Sequence, residues 1–355
     1  MRKILKNTSK KHIILMAVVG VSLVLFTALF ISSNIIKRAQ ADQRAAQRWA
    51  AEGGYAQISC LFADGEKISF DTIMELRGQI DKGLSDVSYL TEDGGGRSYI
   101  DAYSGSGKIQ IISERTSMDS PAFGVGGDFF HFHPLTLVSG TYFSGAELNK
   151  DAIIIDEEAA WQLFGASDVT GMEVTIGGVP HYVRGVVSRE GGRLWDASGL
   201  GGGMVYLSLE SLTAYGETAG IHYYEAVMPN PVQGFAYRLA AENFGYTEDK
   251  MVVIDNTARF DIMALVTVIS ELGTRSMQLY SLRFPYWENY ARGIEDILAF
   301  MLILKALLLL GVALIIIVSL HNAYRHRSWT WPGLLKGAAK KVKAGMDKRR
   351  AAWKG

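Results

Sequence analysis

A single cysteine, Cys60, stands in 355 residues, so no disulfide can close within the chain. Cys60 falls in "YAQISCLF" (55–62), whose alternation predicts a strand with the thiol as a small buried hydrophobe. Acidic residues are missing from 1–12, which carry Arg2, Lys3, Lys6, Lys10 and Lys11. They are nearly missing from 321–355, where Asp347 stands against ten basic residues. Charge of either sign is missing from "IILMAVVGVSLVLFTALFI" (13–31), in which only Ser22 and Thr27 are polar. It is nearly missing from "ILAFMLILKALLLLGVALIIIVSL" (297–320), where Lys305 is the one interruption.

The formal net charge is zero, with 36 basic and 36 acidic residues, and this balance conceals a segregation. Once the two basic ends and Lys305 are set aside, 20 basic residues face 35 acidic ones in 34–296. Each apolar run is long enough, as a helix, to match a bilayer core of about 30 Å. Lys and Arg beside a span stay in the cytoplasm, so both termini are expected there and 34–296 outside. An even number of spans agrees with that arrangement. Ala39-Gln40-Ala41 resembles a signal-peptidase site, but the apolar core is long and Lys37-Arg38 intervenes, so the first run is read as an uncleaved anchor. An oxidising exterior without a disulfide leaves the outer domain to rest on its own core, for which about 260 residues suffice.

The expected order is a cytoplasmic N-terminus (1–12), a first span (13–33), a helical stalk (34–54), an outer domain (55–296), a second span (297–320) and a basic tail (321–355). The stalk, "NIIKRAQADQRAAQRWAAE" (34–52), has neither Gly nor Pro and is predicted to extend the first helix out to Gly53-Gly54. In the outer domain a strand at 55–62, a helix marked by Phe70, Ile73, Met74, Ile80 and Leu84, and a strand "VSYL" (87–90) predict one β-α-β unit. A second unit runs from "IHYYEAVM" (221–228) through a helix over 231–244, stopped by Gly245, to "MVVI" (251–254). Short strands and glycine turns fill the interval. The fold class is α+β, a split β-α-β domain with a mostly β insertion over about 120–210.

Motifs for chemistry are few. "SGSGKIQ" (104–110) has Ile109 where a phosphate loop needs Ser or Thr, and "GLGGGMVY" (199–206) precedes a strand, so both read as turns and loops. "FFHFHP" (129–134) places His131 and His133 two apart in what reads as an extended segment, with Asp128, His181 and His222 as the available helpers for a metal. Zinc needs three or four ligands, and nothing in the spacing joins these, so a surface-facing pair is expected. "IIIDEEAAWQLFG" (153–165) sets three carboxylates in a row. They read as the start of a helix: Asp156 as cap, Glu157 and Glu158 in the first turn facing the positive end of the dipole, Gly165 as stop. Trp161 and Phe164 are expected to supply its packing face. No Ser/His/Asp order, metal triad or isolated carboxylate pair points to an enzyme. No cofactor motif stands out, and nothing indicates nucleic acid.

The run "PLTLVSGTYFS" (134–144), followed by "IIIDEEAAWQLFGASDVTGMEVTIGGVPHYVRGVV" (153–187), resembles the MacB-like periplasmic core domain of ABC-type permeases. Leu163-Phe164-Gly165, Gly171, Ile176-Gly177-Gly178 and Val183-Arg184-Gly185-Val186-Val187 carry the resemblance in order. It covers about 60 residues directly, and the flanking β-α-β units extend it loosely to 55–255. The resemblance implies separate ABC ATPase and permease subunits as partners, and a mechanical rather than chemical role. Family permeases have four membrane helices, whereas two are read here, which implies a half-permease or an accessory subunit. A membrane-anchored sensor or scaffold independent of an ATPase is the alternative. Self-association is left open.

Under that resemblance, 34–52 and "RFPYWENYARGIED" (283–296) are the expected transmission parts, with Pro285 opening a helix and Tyr286 and Trp287 suited to an interfacial belt. Lys305 lies about 12 Å inside the second apolar run. It reads either as an interfacial residue of a span that begins near Leu302 or as a contact for an acidic or carbonyl-rich face of a partner helix. In 333–355, Leu335, Ala339, Val342, Met346 and Trp353 fall near one helical face, and Lys340, Lys341, Lys343, Lys348, Arg349 and Arg350 crowd the rest. That pattern predicts a helix lying on anionic lipid, or a disordered basic tail that enforces topology.

Overall fold

The structure is a computed structural model that describes residues 2–66, 68–89, 97–199, 203–218, 220–247, 249–275 and 284–325. The amphipathic tail read over 333–355 lies outside the described residues. Two compact units emerge: Met1–Ser32 with Met301–Gly355, and Ser33–Phe300. Among the described residues two helices are long and apolar enough to cross a membrane, the segments Ile13–Ala39 and Tyr286–Arg325.

Helix α1 (Arg2–Ala39) is followed by a 3-10 turn (Ala41–Gln43) and α2 (Ala45–Trp49). The continuous stalk predicted to Gly53-Gly54 therefore ends at Ala39. Tertiary bonds override the helix-forming composition here: Gln57 accepts from Ala45 N–H at 2.8 Å and donates to the Asp42 carbonyl at 2.6 Å. Arg48 donates back to the Ala41 carbonyl at 2.6 Å. The chain then runs β1 (Tyr55–Phe62), α3 (Phe70–Asp86), β2 (Ile100–Ile112), β3 (Ser117–Gly127), α4 (Phe129–Phe132) and β4 (Leu137–Gly140). It continues β5 (Ala152–Asp156), α5 (Glu157–Phe164), β6 (Glu173–Ile176), β7 (Val179–Val187), α6 (Arg193–Ala197), β8 (Val205–Ser208) and α7 (Leu209–Tyr215). Last come β9 (Glu217–Thr218), β10 (Tyr223–Pro229), α8 (Phe235–Phe244), β11 (Met251–Asp255), α9 (Ile262–Glu271) and α10 (Tyr286–Arg325).

One mixed sheet holds the strands, with the path β11-β1-β10-β2-β3-β8-β5-β7-β4. The late unit β10-α8-β11 joins β1 on both edges, since β1 pairs antiparallel with β10 and β11. The strand predicted at 87–90 is not formed in its described part. Val87 and Ser88 close α3, Ser88 at φ 55°, and Tyr89 N–H bonds the Leu84 carbonyl at 3.0 Å. The strand that follows α3 is β2, separated from β1 by β10. Gly105 and Gly107, read as turn residues, lie inside β2 instead. A Cβ at Gly105 would stand 2.0 Å from the Gly220 carbonyl oxygen, so glycine there admits a neighbouring backbone rather than making a bend.

Strand alternation sorts the core. Ala56, Ile58, Cys60 and Phe62 of β1 pack with Ile73, Leu76, Ile80 and Leu84 of α3 and Ala236 and Ala240 of α8. A second cluster joins Ile153 and Ile155 to Val183, Leu207 and Leu212. Helix α5 presents Ala159, Ala160 and Leu163 to it, whereas Trp161, expected to pack, is 66% exposed. The short strand-to-helix turn directs the two alanines and Leu163 inward and leaves Trp161 on the open side. The opposite face of β1 carries Gln57, Ser59 and Leu61, all buried, and that polar face leads to the site.

Candidate functional site

Asp156 is the α5 cap. Its Oδ1 accepts from Ala159 N–H at 2.8 Å and its Oδ2 from Met204 N–H at 3.0 Å. Burial raises its carboxyl, and the two backbone donors work against that rise. Both oxygens are committed to holding backbone, and Glu157 and Glu158 follow in the first turn, so the acidic triplet begins a helix.

His133 behaves differently from the expected surface residue. The segment 129–132 is the short helix α4, which swings His133 inward to 1% exposure. Its ring bonds Glu225 Oε2 of β10 through Nε2 at 2.5 Å and Asp42 Oδ1 through Nδ1 at 3.1 Å. Burial alone would lower the imidazole, but Glu225 and Asp42 outweigh it and push it up to about 9. The imidazolium also lies against Trp287, with ring centroids 4.2 Å apart, and against Phe129 at 4.7 Å. His131 is half-buried and bonds the Ala45 carbonyl at 3.3 Å instead. Asp128 pairs with Arg97, His181 bonds the Val179 carbonyl and His222 accepts from Ser106 N–H. Among the described residues no three His, Cys, Asp or Glu side chains converge to hold a metal.

From His133 a polar chain runs unbroken to the second membrane-directed helix. Glu225 Oε1 accepts from Ser59 Oγ at 2.9 Å, Ser59 accepts from Asn256 Nδ2 at 2.7 Å, and Asn256 accepts from Arg259 at 3.2 Å. Arg259 is buried and grips Glu288 with both terminal nitrogens, each at 2.6 Å. Its Nε reaches Glu295 Oε1 at 2.5 Å. Arg275 adds bonds to Glu295 and, at 2.5 Å, to Asp296. Glu288 and Glu295 are seven apart on α10, two turns along one face. The two carboxylates hold the Arg259 guanidinium above its ordinary value although burial opposes them. Charges buried this way are held by geometry and mutual bonding, and removing one partner strands the others.

Beside this chain a cleft of about 290 Å³ opens between the 39–42 segment and the first turns of α10. Tyr286 donates or accepts a hydroxyl bond with Tyr206 at 2.8 Å, and Trp195 of α6 stacks on Tyr290 with centroids 3.7 Å apart. Asn289 donates to the Ser198 carbonyl at 3.2 Å. Tyr286 and Trp287, expected in an interfacial belt, are thus core residues, enclosed with Phe123, Phe129 and Tyr223. Pro285 directly precedes α10. Lys305 is half-buried in α10, in the other compact unit.

The sequence reading missed Arg259, Glu225, Glu288 and Glu295. One signal was available: Glu225 interrupts "YYEAVM", and Gln57 and Ser59 interrupt "YAQISCLF", each on the alternate positions of a strand that the pattern already buries on its other side. A network of this composition binds elements together. Among the described residues no three His, Cys, Asp or Glu side chains are grouped to hold a metal.

The family model described as the MacB-like periplasmic core domain matches residues 13–266. Among curated proteins, the macrolide export ATP-binding/permease protein MacB of Chromobacterium violaceum is 25% identical over 154 residues. That match takes 42% of this chain and 23% of the relative, so it spans about a quarter of the relative's length. Two solved structures are similar in part. The extracellular domain of the noncanonic ABC-type transporter YknZ from Gram-positive bacteria has a TM-score of 0.37 and 18% identity, over 56% of this chain and 99% of that one. The periplasmic region of MacB from Actinobacillus actinomycetemcomitans has a TM-score of 0.38 and 14% identity, over 62% of this chain and 94% of that one. The family match covers most of the chain and carries the assignment: this protein belongs to the MacB-like periplasmic core domain family.

Proposed function

We propose that this protein is a membrane-anchored subunit of an ABC-type transport complex, and that its outer domain is moved by, or docked to, separate ATPase and permease subunits. In this reading both termini are cytoplasmic and 34–296 lies outside. The observation that carries the proposal is the chain from half-buried Asp42 through the buried His133, Glu225, Ser59, Asn256 and Arg259 to Glu288 and Glu295. It ties the segment that follows α1 and the first turns of α10 to the same two adjacent strands, β1 and β10. A displacement of either helix therefore reaches the sheet through short, enclosed bonds rather than through a flexible tether. That is the construction a mechanical coupling needs, and simple anchoring of a sensor does not call for it.

Lys305 is the partner-facing residue in this proposal, since a cation at its depth in the apolar run is stabilised by an acidic or carbonyl-rich neighbour. Purification from detergent-solubilised membranes tests the reading. An ABC ATPase should co-purify with the wild-type chain, and Lys305→Leu should weaken that association while leaving protein abundance unchanged. Isolation without an ATPase under mild detergent would favour the sensor or scaffold instead.

A further inference from the structure

Helix α9 exposes more apolar surface than packing within its own domain accounts for. Leu265 and Val268 are buried, but Ile262, Met263 and Val266 are open, Met263 at 76%. At about 100° per residue Ile262, Val266 and the half-buried Ile269 form one stripe, with Met263 at its margin. The helix carries a single charge, Glu271, at its last position. An apolar helix of ten residues is too short to span a bilayer, and one that is not enclosed belongs at an interface.

Its flanks place it. Arg259, three residues before the helix, and Arg275, four residues after it, both bond Glu295, and Arg275 also bonds Asp296. Ile297, the next residue, opens the apolar run, and Ile297 and Phe300 are themselves exposed on α10. Helix α9 is therefore tied at both ends to the turn of α10 immediately outside that run. We infer that α9 lies in the outer headgroup–acyl boundary of the bilayer, with Ile262, Met263 and Val266 inserted, so that its partner is the lipid surface itself. The face has no basic residue, so apolar burial drives the contact and anionic lipid is not required. The inference rests on 297–320 being a bilayer span and is independent of the coupling proposal.

The test uses the full chain, Cys60→Ala, reconstituted in phosphatidylcholine nanodiscs. Single cysteines from Met263→Cys, Leu310→Cys or Leu148→Cys each carry a nitrobenzoxadiazole dye. Leu148, 97% exposed, is the aqueous reference and Leu310 the reference for the span. Acyl-brominated lipid should quench the dye at 263 several-fold more than the dye at 148, iodide should show the reverse order, and added phosphatidylglycerol should change neither. A dye at 263 that behaves like the one at 148, while the one at 310 is quenched, overturns the inference, whether water or a protein face covers α9. A dye at 310 that escapes quenching removes the span and the inference with it.

Discussion

At the scale of single residues, His133 is the most informative group. Its folded-state value is raised to about 9 from an ordinary 6.5, so the folded state holds its proton more tightly than the unfolded chain. The resulting stabilisation is fully present below about pH 6.5 and is lost as pH rises through about 9, and it amounts to on the order of 3 kcal/mol. Melting of the purified protein in detergent should accordingly decline across that window, and His133→Gln should flatten the decline while lowering stability at neutral pH. An unchanged pH profile in the variant would remove His133 from the buried chain. Arg259→Met should destabilise the outer domain by about 3–5 kcal/mol, because Glu288 and Glu295 are left enclosed without their counter-charge. None of this was legible in "FFHFHP" or "NTARFD", because nothing local marks a histidine or an arginine as enclosed. Burial there is decided by strands and helices far away in sequence.

At the scale of elements, what is locally encoded could be read. The cap at Asp156, the strand before it and the stop at Gly165, with φ 73°, follow from residues within one turn of each other. The strands read at 55–62 and 251–254 and the helix from Phe70 were equally visible in the sequence, the second strand running one residue further, to Asp255. The direction in which α5 packs was not, because tertiary placement selects Ala159, Ala160 and Leu163 over the larger Trp161. Thermal melts should rank three substitutions accordingly. Leu163→Ala should cost about 2–5 kcal/mol and Asp156→Ala about 1–2 kcal/mol, with Trp161→Ala within about 0.5 kcal/mol of wild type. A large loss at Trp161 would contradict the observed packing. The stalk failed as a prediction for a related reason: its composition favours helix throughout, but Gln57 and Arg48 bond its backbone into a turn after Ala39.

At the scale of the whole molecule, charge segregation and two apolar runs predict a topology that labelling can check. In a Cys60→Ala background, Leu148→Cys should react with an impermeant maleimide in intact cells, and Ala351→Cys only after lysis. The opposite pattern would reverse the orientation. The family was legible because the residues that carry the resemblance, from Leu163-Phe164-Gly165 to Val186-Val187, form an ordered series of turns and strand ends in local sequence. The coupling reading reaches further, since it holds that nucleotide-driven movement enters the sheet through the chain from Asp42 to Glu295. Hydrogen–deuterium exchange on the protein co-purified with its ATPase, compared with and without ATP, measures this most directly. The account predicts that exchange in 41–49, 256–261 and 286–296 changes together on ATP binding. No change in those segments while the ATPase turns over, or change in one of them alone, would contradict it.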